Sequence, residues 1–412
     1  MRILYRIYKA YVCFVTRRLL YRRVRVDGWE NLPEHGEPTL IISNHQNAAM
    51  DALALVEAMP NHMHPYMVAR GDVFWAKPWL TKFFLWIGML PAFRLDFEGG
   101  EALEKNADCF AMISQYLRKG DPVCVFPNAA HMRGHYLGDF TTGYLKMALQ
   151  AAADTNWEKD IRILPAGIHY TTYSGIQGDQ TVRFGQPISL QPYYQDYQEH
   201  PYPTLRKLNK LCREKVQGLM VDLGDEHPWA LDWVRTSALG EEAVAQVAAD
   251  PESIELAQKL SDWREKTGIE DNLLHPTRPG WSDVVLGTLA LLILFPAWVV
   301  LLWPHLINYA LPPKLKGAKT ADYTWDNSYR FVLTVVALLP IEALLTLLVL
   351  GLGFGWWWQA VAYILMWTTF GRWAAQYWLF AKRTYRQLWV LIHQKEVEAY
   401  EKIRCQLKNK LE

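Results

Sequence analysis

The stretch that decides the fold is residues 38–59, PTLIISNHQNAAMDALALVEAM. Its first part, Leu40 to Ile42, is a short apolar run after Pro38, and an apolar run between turn formers predicts a buried strand. From Met50 to Ala58 the apolar residues recur at helical spacing, which predicts a helix. The polar residues between these elements, with His45 among them, therefore form a strand-to-helix turn.

This turn has two interpretations. Asn and Asp are favoured at helix starts, so Asn44 and His45 could be turn and cap residues. Alternatively, His45 is a base that Asp51 orients. The stretch alone does not decide between them.

Three further apolar runs predict more strands, at residues 121–127, 162–170 and 181–188. Helical patterns lie between the predicted strands at about residues 100–119 and 143–153. Alternating strands and helices predict an α/β domain with a mostly parallel sheet flanked by helices. Sites in such sheets form at the carboxyl ends of strands. We therefore expect His45, after the first strand, and Asn128, after the second, to share a site.

The composition limits the class of function. The 412 residues carry 43 basic and 42 acidic side chains, without the basic excess of most nucleic-acid binders, so no nucleic-acid partner is expected. The five cysteines are scattered and lack a CxxC pair, which favours a reducing compartment over a disulfide framework or zinc site. No P-loop, GxGxxG, HExxH or GxSxG motif occurs in a convincing setting, so neither a cofactor nor a metal is expected.

Residues 1–26 predict a basic amphipathic helix. Eight Lys and Arg side chains precede the first acidic residue, Asp27, and apolar residues lie among them at helical spacing. One interpretation is a helix on an anionic membrane surface, where each cation adds roughly 1 kcal/mol. The other is an ordinary amphipathic helix packed on the domain behind it, and both could hold.

The chain changes character after the α/β domain, which we place at residues 27–224. Residues 225–282 are polar and predict a helical linker. Residues 283–380 are expected in a membrane, because no Asp, Glu, Lys or Arg lies between Asp283 and Lys314, and Glu342 alone lies between Arg330 and Arg372. Each run exceeds the roughly 20 residues that cross a bilayer. Nearby Trp residues suit a membrane interface.

Basic residues on both sides of the second apolar run predict its topology. Lys and Arg side chains lie within residues 314–330 and again within 382–386. The positive-inside rule places both groups on the cytoplasmic side. Residues 331–377 would then form a transmembrane hairpin that turns near residues 351–355.

The first apolar run, about residues 285–310, must then enter the membrane and return to the same side. Pro296 and Pro304 could break it for this purpose. Residues 381–412 predict a C-terminal amphipathic helix. In this arrangement the α/β domain lies on the cytoplasmic face of the membrane.

A series of short blocks follows a fixed order in the first half of the chain. The blocks are VDGWENLP (26–33), SNHQNAAMD (43–51), GMLPAFR (88–94), VFPNAAH (125–131), FTTGYLKMAL (140–149), ILPAGI (163–168) and VRFGQPI (182–188). In this order and at these distances they resemble the glycerolipid acyltransferase family, which contains 1-acylglycerol-3-phosphate acyltransferases. The resemblance covers about residues 1–220. Any single block would be weak, and their order carries the resemblance.

The resemblance implies a catalytic dyad. His45 would deprotonate the acceptor hydroxyl, and Asp51 would orient the imidazole, whose pKa suits a general base. Five residues separate the two, where the family commonly has four. Six positions along an ideal helix rotate a side chain by about 600°, or about 240° net, so the pair would not share a helix face. We therefore expect His45 in the turn and Asp51 one to two turns inside the helix.

The resemblance also implies residues that bind substrate: Asn44, Arg70, Arg94, Phe126, Pro127, Asn128 and His131. Arg94 would contact the acceptor's phosphate or head group, although it could instead form a surface salt bridge with Asp96 or Glu98. The third block departs from the family's usual Phe-Pro-Glu-Gly-Thr-Arg, since Asn128 replaces the glutamate and His131 the arginine. The departure does not change the dyad, but it leaves the identity of the acceptor undecided.

Together these features predict a membrane-bound O-acyltransferase. The expected partners are acyl-CoA or acyl carrier protein as donor, a lysophospholipid or glycerol-phosphate acceptor, and membrane lipid. The foremost acceptor is 1-acylglycerol-3-phosphate, which would give phosphatidate; glycerol-3-phosphate, another lysophospholipid and an amino-acid lipid are alternatives. An alternative of another class is a catalytically weak lipid-binding membrane protein.

Overall fold

The computed structural model describes residues 2–71, 78–92, 101–128, 134–175, 177–220, 222, 229–239, 242–310, 314, 323–333 and 357–412. Within them a mixed sheet is the central element. Its strands are β1 (Tyr21–Asp27), β2 (Thr39–Ser43), β3 (Tyr66–Arg70), β4 (Met89–Ala92), β5 (Val123–Val125), β6 (Arg162–Tyr170), β7 (Gly178–Phe184) and β8 (Ile188–Ser189).

Helices cover the sheet and form most of the rest of the described chain. They are α1 (Arg2–Leu19), α2 (Ala49–Ala58), α3 (Pro78–Trp86), α4 (Glu101–Arg118), α5 (Gly143–Ala153), α6 (Tyr194–Glu199), α7 (Pro201–Gln217), α8 (Ala230–Thr236), α9 (Glu242–Ala249), α10 (Pro251–Thr267), α11 (Trp281–Ala310), α12 (Asp326–Arg330), α13 (Trp357–Ile392) and α14 (Gln394–Leu411).

The sheet is mostly parallel, as predicted. Its strand order is β1-β7-β6-β2-β5-β3-β4, and β8 pairs with β6. The central strand β2 is buried along its whole length and pairs in parallel with β5 on one side and β6 on the other. The carboxyl ends of these three strands therefore meet at one edge of the sheet.

The predicted direction of one strand is corrected. The runs at residues 162–170 and 181–188 were expected to be parallel, but β6 and β7 pair antiparallel. The connection between them is too short for a parallel crossover, which takes a dozen or more residues.

The N-terminal helix ends at Leu19 instead of residue 26. Residues 21–27 form β1, where the Arg side chains are exposed and the Val side chains half-buried, a period of two that suits a strand.

The apolar core lies on both faces of the sheet because successive residues of β2 point in opposite directions. Leu40 and Ile42 pack with α4, α5 and α7, and Ile41 packs with α1 and α2. A separate core joins α8, α9 and α10 to α14 and the end of α13. The predicted linker is thus helical and packs against the C-terminus.

Helix α1 packs on the α/β domain through one face. Val12 and Val15 are buried in the core beside α2. The ammonium of Lys9 is also buried and donates hydrogen bonds to the carbonyls of Met59 and Pro60, at 3.1 and 2.9 Å, just past the end of α2. The interpretation of α1 as a helix packed on the domain is therefore correct, and its contact with a membrane stays a prediction.

Helix α11 runs without interruption past Pro296 and Pro304. The expectation that these prolines break the segment is therefore wrong: a proline removes one helical hydrogen bond, and here the neighbouring turns stay helical. The predicted return of the segment across the same membrane face is untested. Among the described residues, Trp281–Val299 is the one stretch of helix long and apolar enough to cross a membrane, by length and composition alone.

The C-terminal helices differ in their bounds from the prediction. Helix α13 continues to Ile392, and α14 starts at Gln394, so the chain from residue 381 belongs to two helices. Most of the first half of the predicted hairpin, including the turn near residues 351–355, lies outside the described residues.

Candidate active site

His45 and Asp51 are in direct contact at the carboxyl end of β2. His45 lies in the turn before α2, and its Nδ1 is 2.8 Å from Oδ2 of Asp51. The same carboxylate oxygen accepts hydrogen bonds from the backbone N–H groups of Gln46 and Asn47, each at 2.7 Å. Asp51 is fully buried, while the His45 side chain is 20% exposed. The carboxylate is thus held by the turn, and the imidazole reaches the surface.

Of the five residues between His45 and Asp51, three lie in the turn and two in helix α2. Helix α2 begins at Ala49, so Asp51 lies in its first turn. The predicted position, one to two turns inside the helix, is therefore wrong. Ala48 adopts φ of 43°, a backbone region that residues with a Cβ adopt at a cost. This conformation lets Asp51 fold back over the N–H groups of the turn and meet His45.

Phe126 contacts one face of the His45 ring. The two rings are stacked, with centroids 4.4 Å apart and 17° between their planes. Phe126 directly follows β5, the parallel neighbour of β2. The adjacent strand ends therefore bring together the two predicted site residues, and the imidazole contacts a carboxylate at its edge and an aromatic ring on its face.

Asn44 links the turn between β2 and α2 to β6. Its Nδ2 donates to the carbonyl of Ile168 at 2.8 Å, and its Oδ1 accepts from the N–H of the same residue at 2.7 Å. This paired contact stabilises the turn. Contact between Asn44 and substrate stays a prediction.

Pro127 and Asn128 form the turn after β5. The carbonyl of Pro127 accepts from the N–H and hydroxyl of Thr141, at 3.1 and 3.0 Å. The Asn128 side chain is buried, and its Nδ2 donates to the carbonyl of Leu137. Within the described part of the chain, no donor reaches Oδ1 of Asn128.

Residues 23–169, which include His45, Asp51, Phe126 and Asn128, match the family model of the acyltransferases. The chain carries an acyltransferase domain. This match confirms the family resemblance found in the sequence blocks. A crystal structure of the 1-acyl-sn-glycerophosphate (LPA) acyltransferase PlsC from Thermotoga maritima is similar over 47% of this chain and 72% of that protein, with 16% sequence identity and a TM-score of 0.33. No curated protein matches this chain.

The structure does not describe the side chains of three predicted binding residues of the acyltransferase domain. Arg94 and His131 lie outside the described residues, and Arg70 is described as the last residue of β3 but without its side chain. Their contacts with substrate stay predictions.

A polar layer that the motifs did not indicate lies beside the turn between β2 and α2. The hydroxyl of Tyr173 donates to Oε1 of Gln46 at 3.1 Å and lies 3.2 Å from Nδ1 of His135. Gln46 Nε2 in turn donates to the carbonyl of Tyr136 at 3.4 Å. Tyr173 follows the carboxyl end of β6, so the strand-end argument applied to His45 and Asn128 would also have indicated it.

Buried ionisable groups lie behind the dyad in the acyltransferase domain. Burial and the negative charge of Asp51 raise the pKa of Tyr170 well above its usual range. Burial also raises the pKa of Glu57 on α2, against the opposing effect of Arg17, whose Nε is 2.6 Å from Oε1 of Glu57. Because Arg17 lies on α1, this ion pair ties α1 to the helix that carries Asp51.

Among the described residues, no group of three His, Cys, Asp or Glu side chains lies close enough together to hold a metal ion. The described site holds the His45–Asp51 pair, the side-chain amides of Asn44, Gln46 and Asn128, the hydroxyl of Tyr173 and the imidazole of His135.

Proposed function

We propose that this protein is a membrane-bound O-acyltransferase that moves a fatty acyl group from acyl-CoA or acyl carrier protein to a glycerolipid hydroxyl. The observation that carries the proposal is the contact between Nδ1 of His45 and Asp51 at a strand end of the acyltransferase domain. An imidazole oriented by a buried carboxylate is the arrangement that activates a hydroxyl in Ser-His-Asp triads. Here the acceptor's own hydroxyl takes the place of the serine.

The reaction follows from this geometry. With Asp51 accepting from Nδ1–H, Nε2 of His45 takes the proton of the acceptor hydroxyl as its oxygen attacks the thioester carbonyl. The tetrahedral intermediate collapses, the C–S bond breaks, and the thiolate leaves as the thiol after taking that proton. An ester has formed, and His45 returns to its neutral state. The scheme requires no covalent acyl-enzyme.

The acceptor we propose first is 1-acylglycerol-3-phosphate, with phosphatidate as product. Arg94 and Arg70 would bind its phosphate, because a guanidinium group pairs well with phosphate oxygens. Asn128 favours a second candidate. Its buried amide replaces the family's usual glutamate, and its Oδ1 accepts no bond from the described residues, so it offers a neutral acceptor to a different head group. Glycerol-3-phosphate, another lysophospholipid or an amino-acid lipid is the alternative substrate.

Exposed apolar side chains support the proposed membrane attachment. On α11, Leu292 is 66% and Ile293 77% exposed, and on α1 Ile3 is 73% exposed. Apolar surface of this extent is expected against lipid. The contact of α12 with α2 supports the topology, because it holds the end of the basic loop at residues 314–330 beside the acyltransferase domain. We propose that both lie on the cytoplasmic face.

An acceptor panel tests the reaction. Purified full-length protein is given labelled acyl-CoA or acyl carrier protein with 1-acylglycerol-3-phosphate, glycerol-3-phosphate, other lysophospholipids and an amino-acid lipid. We expect labelled phosphatidate with the wild type and none with His45→Ala, which should stay folded by circular dichroism. Transfer to another acceptor alone would replace the first substrate. Transfer to none would favour a lipid-binding protein, and full activity of His45→Ala would exclude His45 as the base.

Cysteine labelling tests the topology. A cysteine placed at Lys314 in a chain without its own cysteines should react with a membrane-impermeant reagent from the same side as one placed at the exposed Asp139 of the acyltransferase domain. Labelling of the two from opposite sides would contradict the proposed hairpin and the return of residues 285–310.

A further inference from the structure

The short helix α12 lies on the acyltransferase domain beside the catalytic turn. Asn327 and Ser328 are buried there. Phe331, directly after the helix, packs against the apolar core that also holds α1 and α2. This segment follows α11 in sequence, but it is part of the catalytic domain in space.

Ser328 supplies a capping group that α2 lacks. The residue at the N-cap position of α2 is Ala48, which makes no side-chain capping bond. Instead, Oγ of Ser328 accepts a hydrogen bond from the N–H of Ala49 at 3.1 Å, across 279 positions of sequence. The first N–H groups of a helix have no partner within it, and a serine oxygen is a favourable acceptor for them. Asp51 lies in this same first turn, so the bond fixes the backbone from which Asp51 reaches His45.

Asn327 and Arg330 hold a second part of the site. Nδ2 of Asn327 donates to the carbonyls of Tyr173 and Gly175, at 2.9 and 3.2 Å. Arg330 donates to the carbonyl of Ser174, between them. Because the hydroxyl of Tyr173 binds Gln46, next to His45, these contacts fix the loop after β6 against the catalytic turn.

We propose that α12 is a positioning element of the acyl-transfer site. Ser328 holds the start of the helix that carries Asp51, and Asn327 holds the loop that carries Tyr173. The inference rests on the proposed function, in which His45 and Asp51 perform the transfer. It gives the chain beyond α11 a role apart from membrane attachment, since the dyad is aligned only when this segment is docked.

Two variants of Ser328 in the full-length protein test the inference. Ser328→Ala removes the acceptor, and Ser328→Thr keeps it. We expect Ser328→Ala to speed amide exchange of residues 46–52 about fivefold, the effect of losing a cap, and to lower kcat about ten- to a hundredfold with little change in KM, the effect of a small misalignment. Ser328→Thr should restore both values.

Asn327→Asp gives an independent test because it keeps the shape of the side chain but loses both N–H donors. It should speed exchange of residues 171–175 and also lower kcat. Ser237→Ala is the matched control, since Ser237 is a buried serine whose Oγ accepts from the N–H of Leu239 in a different part of the chain. It should lower the melting temperature without changing kcat.

Unchanged exchange of residues 46–52 in Ser328→Ala would overturn the inference, as would a kcat loss of equal size in Ser237→Ala. The exchange measurement does not depend on the reaction. If the wild type transfers no acyl group to any acceptor, the proposed function fails, while exchange in Ser328→Ala and its reversal in Ser328→Thr still decide whether α12 positions the turn.

Discussion

Phe126 and His45 are stacked face to face at the ends of two adjacent parallel strands, with ring centroids 4.4 Å apart. The imidazole is thereby restrained in two ways: Asp51 holds it through Nδ1, and Phe126 restricts its rotation. An imidazole that cannot rotate presents its other nitrogen in one direction, which is what a general base requires.

Replacing Phe126 by leucine should leave the chain folded but free the His45 ring. We expect kcat to fall about tenfold, because a misoriented base loses much of its contribution. Phe140→Leu is the control, since Phe140 is a buried phenylalanine in the core of the same domain, and should cost stability without a comparable loss of kcat. Equal kcat losses in the two variants would mean that Phe126 acts only through packing.

Asp51→Asn should nearly abolish activity while changing little in shape. The amide oxygen of asparagine would take the place of Oδ2, because only an oxygen accepts from the N–H groups of Gln46 and Asn47, and the negative charge that stabilises the imidazolium would be lost. The corresponding change in a Ser-His-Asp triad lowers kcat about 10⁴-fold, and we expect a loss of about 10²- to 10⁴-fold in the acyl-transfer assay. Asp179→Asn, at an ion pair with Arg22 in an edge strand, should keep full activity. A loss under tenfold for Asp51→Asn would contradict its assigned role.

Arg17→Met should destabilise the protein by leaving Glu57 buried without its cation. The loss of a charged hydrogen bond to a buried acceptor costs about 1–3 kcal/mol. Burial already raises the pKa of Glu57, and removal of Arg17 raises it further. The folded state then binds a proton at a higher pH than the unfolded chain, so acidification favours folding.

The melting temperature of Arg17→Met should therefore lie further below that of the wild type at about pH 7.5 than at about pH 5.5. The double variant with Glu57→Gln should recover much of the loss. Arg22→Met, at the more exposed pair with Asp179, should cost under about 1 kcal/mol. A deficit that grows on acidification would rule out an unpaired Glu57 as its cause.

Asn128→Asp should be less stable than Asn128→Ala, although aspartate has nearly the shape of asparagine. The aspartate places a buried carboxylate oxygen against the carbonyl of Leu137, where Nδ2 now donates. An unpaired buried polar group costs about 1–3 kcal/mol and a charged one more. Thermal melting of the three proteins measures the order. Wild-type stability in Asn128→Asp would show that the bond to Leu137 contributes little.

Much of the α/β domain follows from local sequence patterns. The stretch from Pro38 to Met59 encodes β2, the turn and α2, since its apolar residues have the spacing of a strand and then of a helix. The strand-end rule predicted a shared site for His45 and Asn128, and in the structure Phe126, two residues before Asn128, stacks on His45. The family resemblance implies the chemistry of these residues. Periodicity alone did not give the direction of β7, which depends on the length of the connection, or the conformation of Ala48, which brings Asp51 back to His45.

The sequence by itself determined the α/β architecture through its apolar periodicity, and the order of its blocks over residues 26–188 predicted the family and the pairing of His45 with Asp51. Only the tertiary structure decided what holds that pair in place: Phe126 against the ring, Arg17 on Glu57, and Ser328 at the start of α2. Hydropathy shows which face of a segment is buried. It does not show which distant side chain will supply a hydrogen bond there, since that depends on how the whole chain packs.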